Sequence, residues 1–293
     1  MKVVQVGPGF AAEIRNINLQ DVAEDKEIYQ TVRAAFEEHS VIIFKNQSIT
    51  DNVQVAFSQC FGTLETAKAA SLGEGTPFSI LTNINPDGTI MPPGHKEDLR
   101  AKANQLWHTD SCFKIPPALA SVLTGRVVAR NGGETQFTST RLAWDQLSPT
   151  EKQQLEHSYA WHDYAHSRGK IAPHLASERE RNTLPPVSWR MRWRNPTNGR
   201  DALYIASHTS GITGMSSEES LKRIDELISF ATQKEFIYTH NWSDGDVVMW
   251  DNRATMHRGR PWGINEPRHM VRTTISATPI DGLDSMWPPK SSH

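Results

Sequence analysis

Asn104-Gln105-Leu106-Trp107-His108-Thr109-Asp110 contains His-x-Asp. On a β-strand successive side chains face opposite ways, so His108 and Asp110 share one face and Trp107 and Thr109 the other. An imidazole and a carboxylate side by side make two-thirds of a facial metal site. The usual third member is a histidine far away in sequence. Two histidines and one carboxylate with open positions suit non-haem Fe(II). His208, His240, His257 and His269 are all distal candidates, and a lone strand histidine is more often a hydrogen-bonded core residue than a ligand. His-x-Asp alone is therefore a weak signal. It predicts a chain rich in strands, in which residues distant in sequence meet.

Working outward, 293 residues allow one large β domain or two smaller ones. No composition shift or internal repeat divides them, so one domain over residues 1–293 is expected. Seventeen Pro, eighteen Gly and nine Trp fit a loop-rich fold with many strands. The net charge of −2 gives no reason to expect nucleic acid or an anionic membrane as partner. Cys60 and Cys112 make no disulfide scaffold, and no apolar run reaches membrane-spanning length, so a cytoplasmic protein is expected. His39, His95, His157 and His293 sit in polar or terminal contexts and read as solvated.

Met1 to Asp21 reads as a short hairpin or an edge strand around Gly7-Pro8-Gly9, and Asp25 to His39 as an amphipathic helix with Ile28, Val32, Ala35 and Phe36 inward. Val41-Ile42-Ile43-Phe44 reads as a buried strand. Thr50 caps a helix presenting Val53, Ala56, Phe57 and Cys60, stopped at Gly62. Glu65 to Thr76 reads as a loop whose one cation is Lys68, Ser79 to Asn85 as a strand, and Met91 to Lys102 as a loop entering the His108 strand. Ala118 to Ala129 is strand-like; Asn131-Gly132-Gly133 turns the chain and Glu134 to Thr138 pairs back. Ser148-Pro149-Thr150-Glu151 and Ser216 with Glu219 are capping boxes that start helices, the second with a stripe of Leu221, Ile224, Leu227, Ile228 and Ala231. Asp163 to Gly199 has no period and reads as a lid. Gly245 to Gly259 reads as strand, Asp251-Asn252 turn, and strand carrying His257.

Trp107-His108-Thr109-Asp110 with Phe113, then Gly132-Gly133-Glu134-Thr135, then Gly245-Asp246 through Trp250-Asp251-Asn252-Arg253 to His257-Arg258, resembles the TauD/TfdA family of Fe(II)- and 2-oxoglutarate-dependent dioxygenases. Asn104 to His108 and Gln233 to Tyr238 bring it nearer the 2,4-dichlorophenoxyacetate branch than taurine dioxygenase. The resemblance covers nearly the whole chain. It implies a mainly β fold, a double-stranded β-helix (jelly roll) with flanking helices and a lid insertion at about 163–199. It implies that His108, Asp110 and His257 bind Fe(II), and that Arg268 with Thr135 binds the distal carboxylate of 2-oxoglutarate.

Arg272 falls where the family has an arginine for the substrate's acidic group, and His208 where this branch also has a histidine. Asn104 is a candidate for touching cosubstrate or substrate, Lys68 for pairing with an acidic substrate, and Trp242 for a pocket wall. The implied reaction consumes O2 and 2-oxoglutarate, releases succinate and CO2, and hydroxylates a small acidic substrate, with ether cleavage where the carbon bears an ether oxygen. Desaturation or cyclisation is the alternative outcome. A Zn(II) hydrolase and a non-catalytic binding protein are the rival classes. A homodimer or homotetramer is implied. The loop after Phe61-Gly62 and the tail after Asp281 depart from the family pattern, so substrate identity is not legible.

Overall fold

Val41–Phe44 has no polar side chain to turn outward, and all four residues are buried. In the computed structural model, which describes residues 1–263 and 265–289, this strand lies inside a seven-stranded sheet. The order is Lys2–Gln5, Ala12–Arg15, Val41–Phe44, Val247–Asp251, Ala118–Val127, His269–Ser276 and Ser79–Thr82. Val247–Asp251 is paired on both edges, which is why it too is buried throughout and apolar from Val247 to Trp250. A three-stranded sheet sets Thr135–Ser139 between Ile237–His240 and Thr255–Gly259. Another sets Tyr159–His162 between Thr209–Ile212 and Val187–Arg190, and Arg192–Arg194 pairs with Asp201–Leu203. The architecture is thus one large mixed sheet and three smaller antiparallel ones, braced by helices.

The hairpin at the start, the Lys26–His39 helix and both capping boxes form as the sequence predicts. The Asp51–Gln59 helix instead buries Gln54, Phe57 and Ser58 and leaves Ala56 exposed. Its polar face turns inward because the Gln54 amide donates to the carbonyls of Val122 and Val271 and the Ser58 hydroxyl meets that of Thr273. The later helix Ser217–Ala231 packs through Ser220, Ile224, Leu227 and Ala231, with Leu221 exposed.

Three expectations near the site are corrected. Residues 96–103 are a helix, not a loop; it has no apolar stripe, but acids fill its first turn and bases its last. Asn104 is the C-cap of that helix, and the expected strand through His108 is reduced to a single bridge, from His108 to His257. Thr135–Ser139 does not fold back on Ala118–Val127 but crosses to the smaller sheet. Gly132 and Gly133, at φ 77° and 74°, make the crossing; a Cβ on Gly132 would lie 2.4 Å from the Pro261 carbonyl oxygen.

The segment from Asp163 to Gly199 is not irregular. It forms helices Tyr164–Gly169 and Glu178–Thr183 and the strands Val187–Arg190 and Arg192–Arg194, with Trp189 and Trp193 fully buried. Trp287 packs on Trp189 at 4.6 Å between ring centroids. His293 lies outside the described residues.

A second corner, Asn252 to Ala254, carries the chain from the large sheet to the strand bearing His257. It is fixed from behind by a buried ionic network. Arg253 donates to Asp251 at 2.9 Å and Glu37 at 2.8 Å, and Arg141 donates to Asp251 at 3.0 Å. Removing one member of such a network costs roughly 3–5 kcal/mol, because the others stay buried and charged.

Candidate active site

His108 and His257 face each other across the bridge and exchange both backbone hydrogen bonds, at 3.0 and 2.7 Å. Their rings lie 4.1 Å apart. Asp110 brings a carboxylate oxygen to 3.6 Å from His257 Nε2. One donor atom from each of the three falls within 4.8 Å of the others, and all three side chains are buried. A strand partner thus supplies what the sequence left open among four distal histidines. His240 is used elsewhere, bonding Asp246 at 3.1 Å, and His269 lies in the large sheet.

The protonation states suit a metal. His108 Nδ1 lies 2.7 Å from the Leu106 carbonyl, an acceptor only, so Nδ1 carries the proton and Nε2 keeps its lone pair. Burial pushes the His108 imidazolium down to about 4, and burial followed by the neighbouring His108 pushes His257 well below its usual range. Burial alone raises the Asp110 carboxyl, but Arg272, the two imidazoles and the Ser121 hydroxyl outweigh it and hold it at about 2. Near pH 7 the cluster is two neutral imidazoles and a carboxylate, the donor set of a divalent metal.

Asp110 is fixed by Arg272 and by contacts of Ser121 and Asn252 that the sequence did not reveal. Ser121 Oγ donates to Oδ2 at 2.7 Å, and Arg272 pairs with Oδ1. Asn252 Oδ1 accepts from the Asp110 backbone N–H at 3.1 Å and from Trp250 Nε1 at 3.0 Å, while its amide donates to Ser121. Thr109, on the other side of the chain, donates to the Asn252 carbonyl at 2.8 Å. The only sequence signal for this was a polar Asn252 just past a largely apolar strand.

The cluster opens on a cavity of about 390 Å³. Of the sequence-predicted site residues, Lys68, Asn104, Thr135, His208, Arg268 and Arg272 line it besides the three ligands, and Trp242 does not. Arg268 is buried without a carboxylate partner among the described residues. Its guanidinium lies 4.9 Å from the Trp262 ring and 3.4 Å from the Gly133 carbonyl, and burial lowers it to about 10. Gly133 permits this approach, since a Cβ there would sit 3.3 Å from Arg268 Nε. Thr135 Oγ1 accepts from Trp242 Nε1 at 2.9 Å, which leaves the hydroxyl proton free to donate. Trp242 therefore acts behind the wall.

Two assignments change character. Lys68 pairs with the buried Glu180, so its charge is already matched. Arg272, read from the sequence as a substrate anchor, is engaged by the metal carboxylate. His208 is buried, with neither ring nitrogen partnered, 6.1 Å from the His108 ring. No helix among the described residues is long and apolar enough to cross a membrane.

The profile of the taurine catabolism dioxygenase TauD, TfdA family matches residues 2–274. The chain is 35% identical over 272 residues to an alpha-ketoglutarate-dependent 2,4-dichlorophenoxyacetate dioxygenase of Cupriavidus pinatubonensis, covering 91% of this chain and 94% of that one. It is 31% identical to an (S)-phenoxypropionate/alpha-ketoglutarate-dioxygenase of Sphingobium herbicidovorans, covering 92% and 93%. The crystal structure of AAD-2 in complex with Mn(II) and N-oxalylglycine superposes with a TM-score of 0.86 at 33% identity, covering 94% and 97%. With a three-ligand cluster and an unpaired guanidinium sharing one cavity, the chain belongs to the TauD/TfdA family and is a 2-oxoglutarate-dependent dioxygenase.

Proposed function

We propose that the chain oxidises a small acidic organic substrate, using Fe(II) at His108, Asp110 and His257, 2-oxoglutarate at Arg268 and Thr135, and O2. The carrying observation is that the ligand cluster and the unpaired Arg268 line one cavity. When bound, iron and cosubstrate supply the oxidation: 2-oxoglutarate and O2 become succinate and CO2 as one oxygen atom enters a substrate C–H bond.

The chain's residues bind, orient and exclude water. Arg268 offers a planar fork to the distal carboxylate, and the Thr135 hydroxyl donates beside it. Ser121, Arg272 and Asn252 hold Asp110 in position before any ligand arrives. The Leu106 carbonyl fixes the His108 tautomer. Apolar side chains, among them Ile80, Leu81, Met91, Phe113 and Leu123, form the rest of the wall. That suits the aromatic ring of an aryloxy acid, the substrate type in the relatives' names. Hydroxylation of a carbon bearing an ether oxygen gives a hemiacetal, which cleaves the ether on collapse. Asn104 and His208 are assigned to the substrate end. The large sheet and the sheet carrying His257 are taken as the two faces of a double-stranded β-helix.

Succinate release, measured over a panel of aryloxy, aryl and alkyl carboxylates and sulfonates, tests this reading. At least one acid is expected to stimulate release above the uncoupled rate. Release that no acid stimulates would contradict it.

A further inference from the structure

Thr135 is buried, and its hydroxyl oxygen accepts from Trp242 Nε1 at 2.9 Å while its own proton meets no protein acceptor among the described residues. An indole N–H is a donor only, so the hydroxyl proton cannot be given back to Trp242 and must point away from it. The bond it accepts also polarises the hydroxyl and makes it a stronger donor. Thr135 lines the cavity, and two residues before it the Gly133 carbonyl lies 3.4 Å from the Arg268 guanidinium. A buried donor without an acceptor and a buried guanidinium without a carboxylate thus line the same cavity.

Trp242 is itself set by a turn wound around one carboxylate. Asp246 is fully buried, and its Oδ2 lies 3.1 Å from His240 Nε2 and accepts from the Ser243 N–H at 3.1 Å. A carboxylate accepts only, so His240 Nε2 carries a proton. His240 is the strand partner of Thr135, and the turn therefore leaves the sheet beside the residue that Trp242 reaches. The His240 ring meets the indole edge to face, 4.7 Å between centroids. Gly125 makes room on the neighbouring strand, where a Cβ would lie 3.4 Å from Trp242 Cε3. The turn is tied to that same glycine by two backbone bonds, Gly125 N–H to the Asp246 carbonyl at 3.0 Å and Gly245 N–H to the Gly125 carbonyl at 3.1 Å. The indole is thus placed by the turn and its packing, independently of the bond it gives to Thr135.

We propose that Trp242, clamped by Asp246 and His240, is a positioning residue for the cosubstrate: it fixes the Thr135 hydroxyl so that its proton is presented to the distal carboxylate of 2-oxoglutarate. The proposal rests on the placement of that carboxylate at Arg268 and Thr135 made above. It gives Trp242 a share in choosing among 2-oxo acids, because one that ends in a methyl group has nothing to receive the proton.

The test is titration calorimetry of Mn(II)-loaded full-length protein with 2-oxoglutarate and with 2-oxobutyrate, which lacks the distal carboxylate. Trp242→Phe keeps the aromatic packing and removes the N–H. Its affinity for 2-oxoglutarate is expected to fall by about 2–12-fold, the range for one neutral hydrogen bond, with affinity for 2-oxobutyrate within about twofold of the wild type. Thr135→Val is expected to lose at least as much for 2-oxoglutarate, and adding Trp242→Phe to it to cost nothing more. A merely structural tryptophan would weaken both 2-oxo acids alike and would add its loss to that of Thr135→Val. A second measurement leaves Trp242 in place and covers the case in which the phenylalanine variant does not fold. In a heteronuclear spectrum of Zn(II)-loaded wild type, the indole N–H signal that Thr135→Val displaces is expected to move on adding 2-oxoglutarate and to stay on adding 2-oxobutyrate. Equal weakening of both acids, or a signal that 2-oxoglutarate leaves in place, would overturn the role of Trp242 while leaving Thr135 as a cosubstrate residue. Unchanged 2-oxoglutarate affinity in Thr135→Val would overturn both.

Discussion

Arg268→Met separates a structural arginine from a binding arginine, because the two roles move stability in opposite directions. Burial lowers Arg268 from its usual 12.5 to about 10, which corresponds to roughly 3 kcal/mol of unfavourable desolvation near neutral pH. The contact with Trp262, 4.9 Å from the ring, offsets about 1 kcal/mol. Methionine fills similar apolar volume without the charge. The ligand-free variant is therefore expected to be more stable by about 2 kcal/mol, or about 3 °C in Tm for a chain of 293 residues. Affinity for 2-oxoglutarate is expected to fall by roughly 30–150-fold, from the loss of a charge-assisted pair. Differential scanning calorimetry of the ligand-free protein gives the first number and titration calorimetry on Mn(II)-loaded protein the second. A Tm several degrees lower with 2-oxoglutarate affinity intact would mean that Arg268 is structural, and the cosubstrate assignment would fail.

Asn252→Ala strands two buried donors, the Asp110 N–H and Trp250 Nε1, so a loss of roughly 2–6 kcal/mol in stability is expected. Metal affinity should fall about 10–100-fold in a Mn(II) titration, and unchanged affinity would remove Asn252 from the support of Asp110. Glu180→Ala leaves Lys68 unpaired and removes the partner of the Tyr164 hydroxyl. A loss of about 3 kcal/mol by chemical denaturation is expected, against no change if the cluster is solvated. Burial holds His108 at about 4 and His162 at about 3 in the fold, whereas both titrate near 6.5 when unfolded. The unfolded chain therefore binds more protons as pH falls below 6.5, and each histidine withdraws roughly 2 kcal/mol of stability by pH 5. Metal-free protein should thus melt progressively lower between pH 7 and pH 5; a flat profile would contradict their burial as neutral rings.

The features legible in the sequence were those written locally. The capping boxes at Ser148 and Ser216, the apolar run of Val41 and the spacing of His108 and Asp110 each need only a few neighbouring residues to be read. What stayed hidden depends on partners far along the chain. Lys68 looks like a free cation until Glu180, 112 residues on, is brought against it. Arg272 looks like a substrate anchor until Asp110, 162 residues away, takes its charge. Ser121 sits in an apolar strand and gives no sign that its hydroxyl serves the metal carboxylate. Asp163 to Gly199 lacked a period because its elements are short, six residues or fewer, and pass from two helices to two strands.

The central claim is that His108, Asp110 and His257 hold the metal onto which 2-oxoglutarate chelates. Anaerobic addition of Fe(II) and 2-oxoglutarate, followed by visible absorption, tests it most directly. The wild type is expected to develop the metal-to-ligand charge-transfer band of a chelated 2-oxo acid, and Asp110→Ala and His257→Ala to lose it while Trp242→Phe retains it. A wild type with no band, or a band that survives removal of either ligand, would contradict the account.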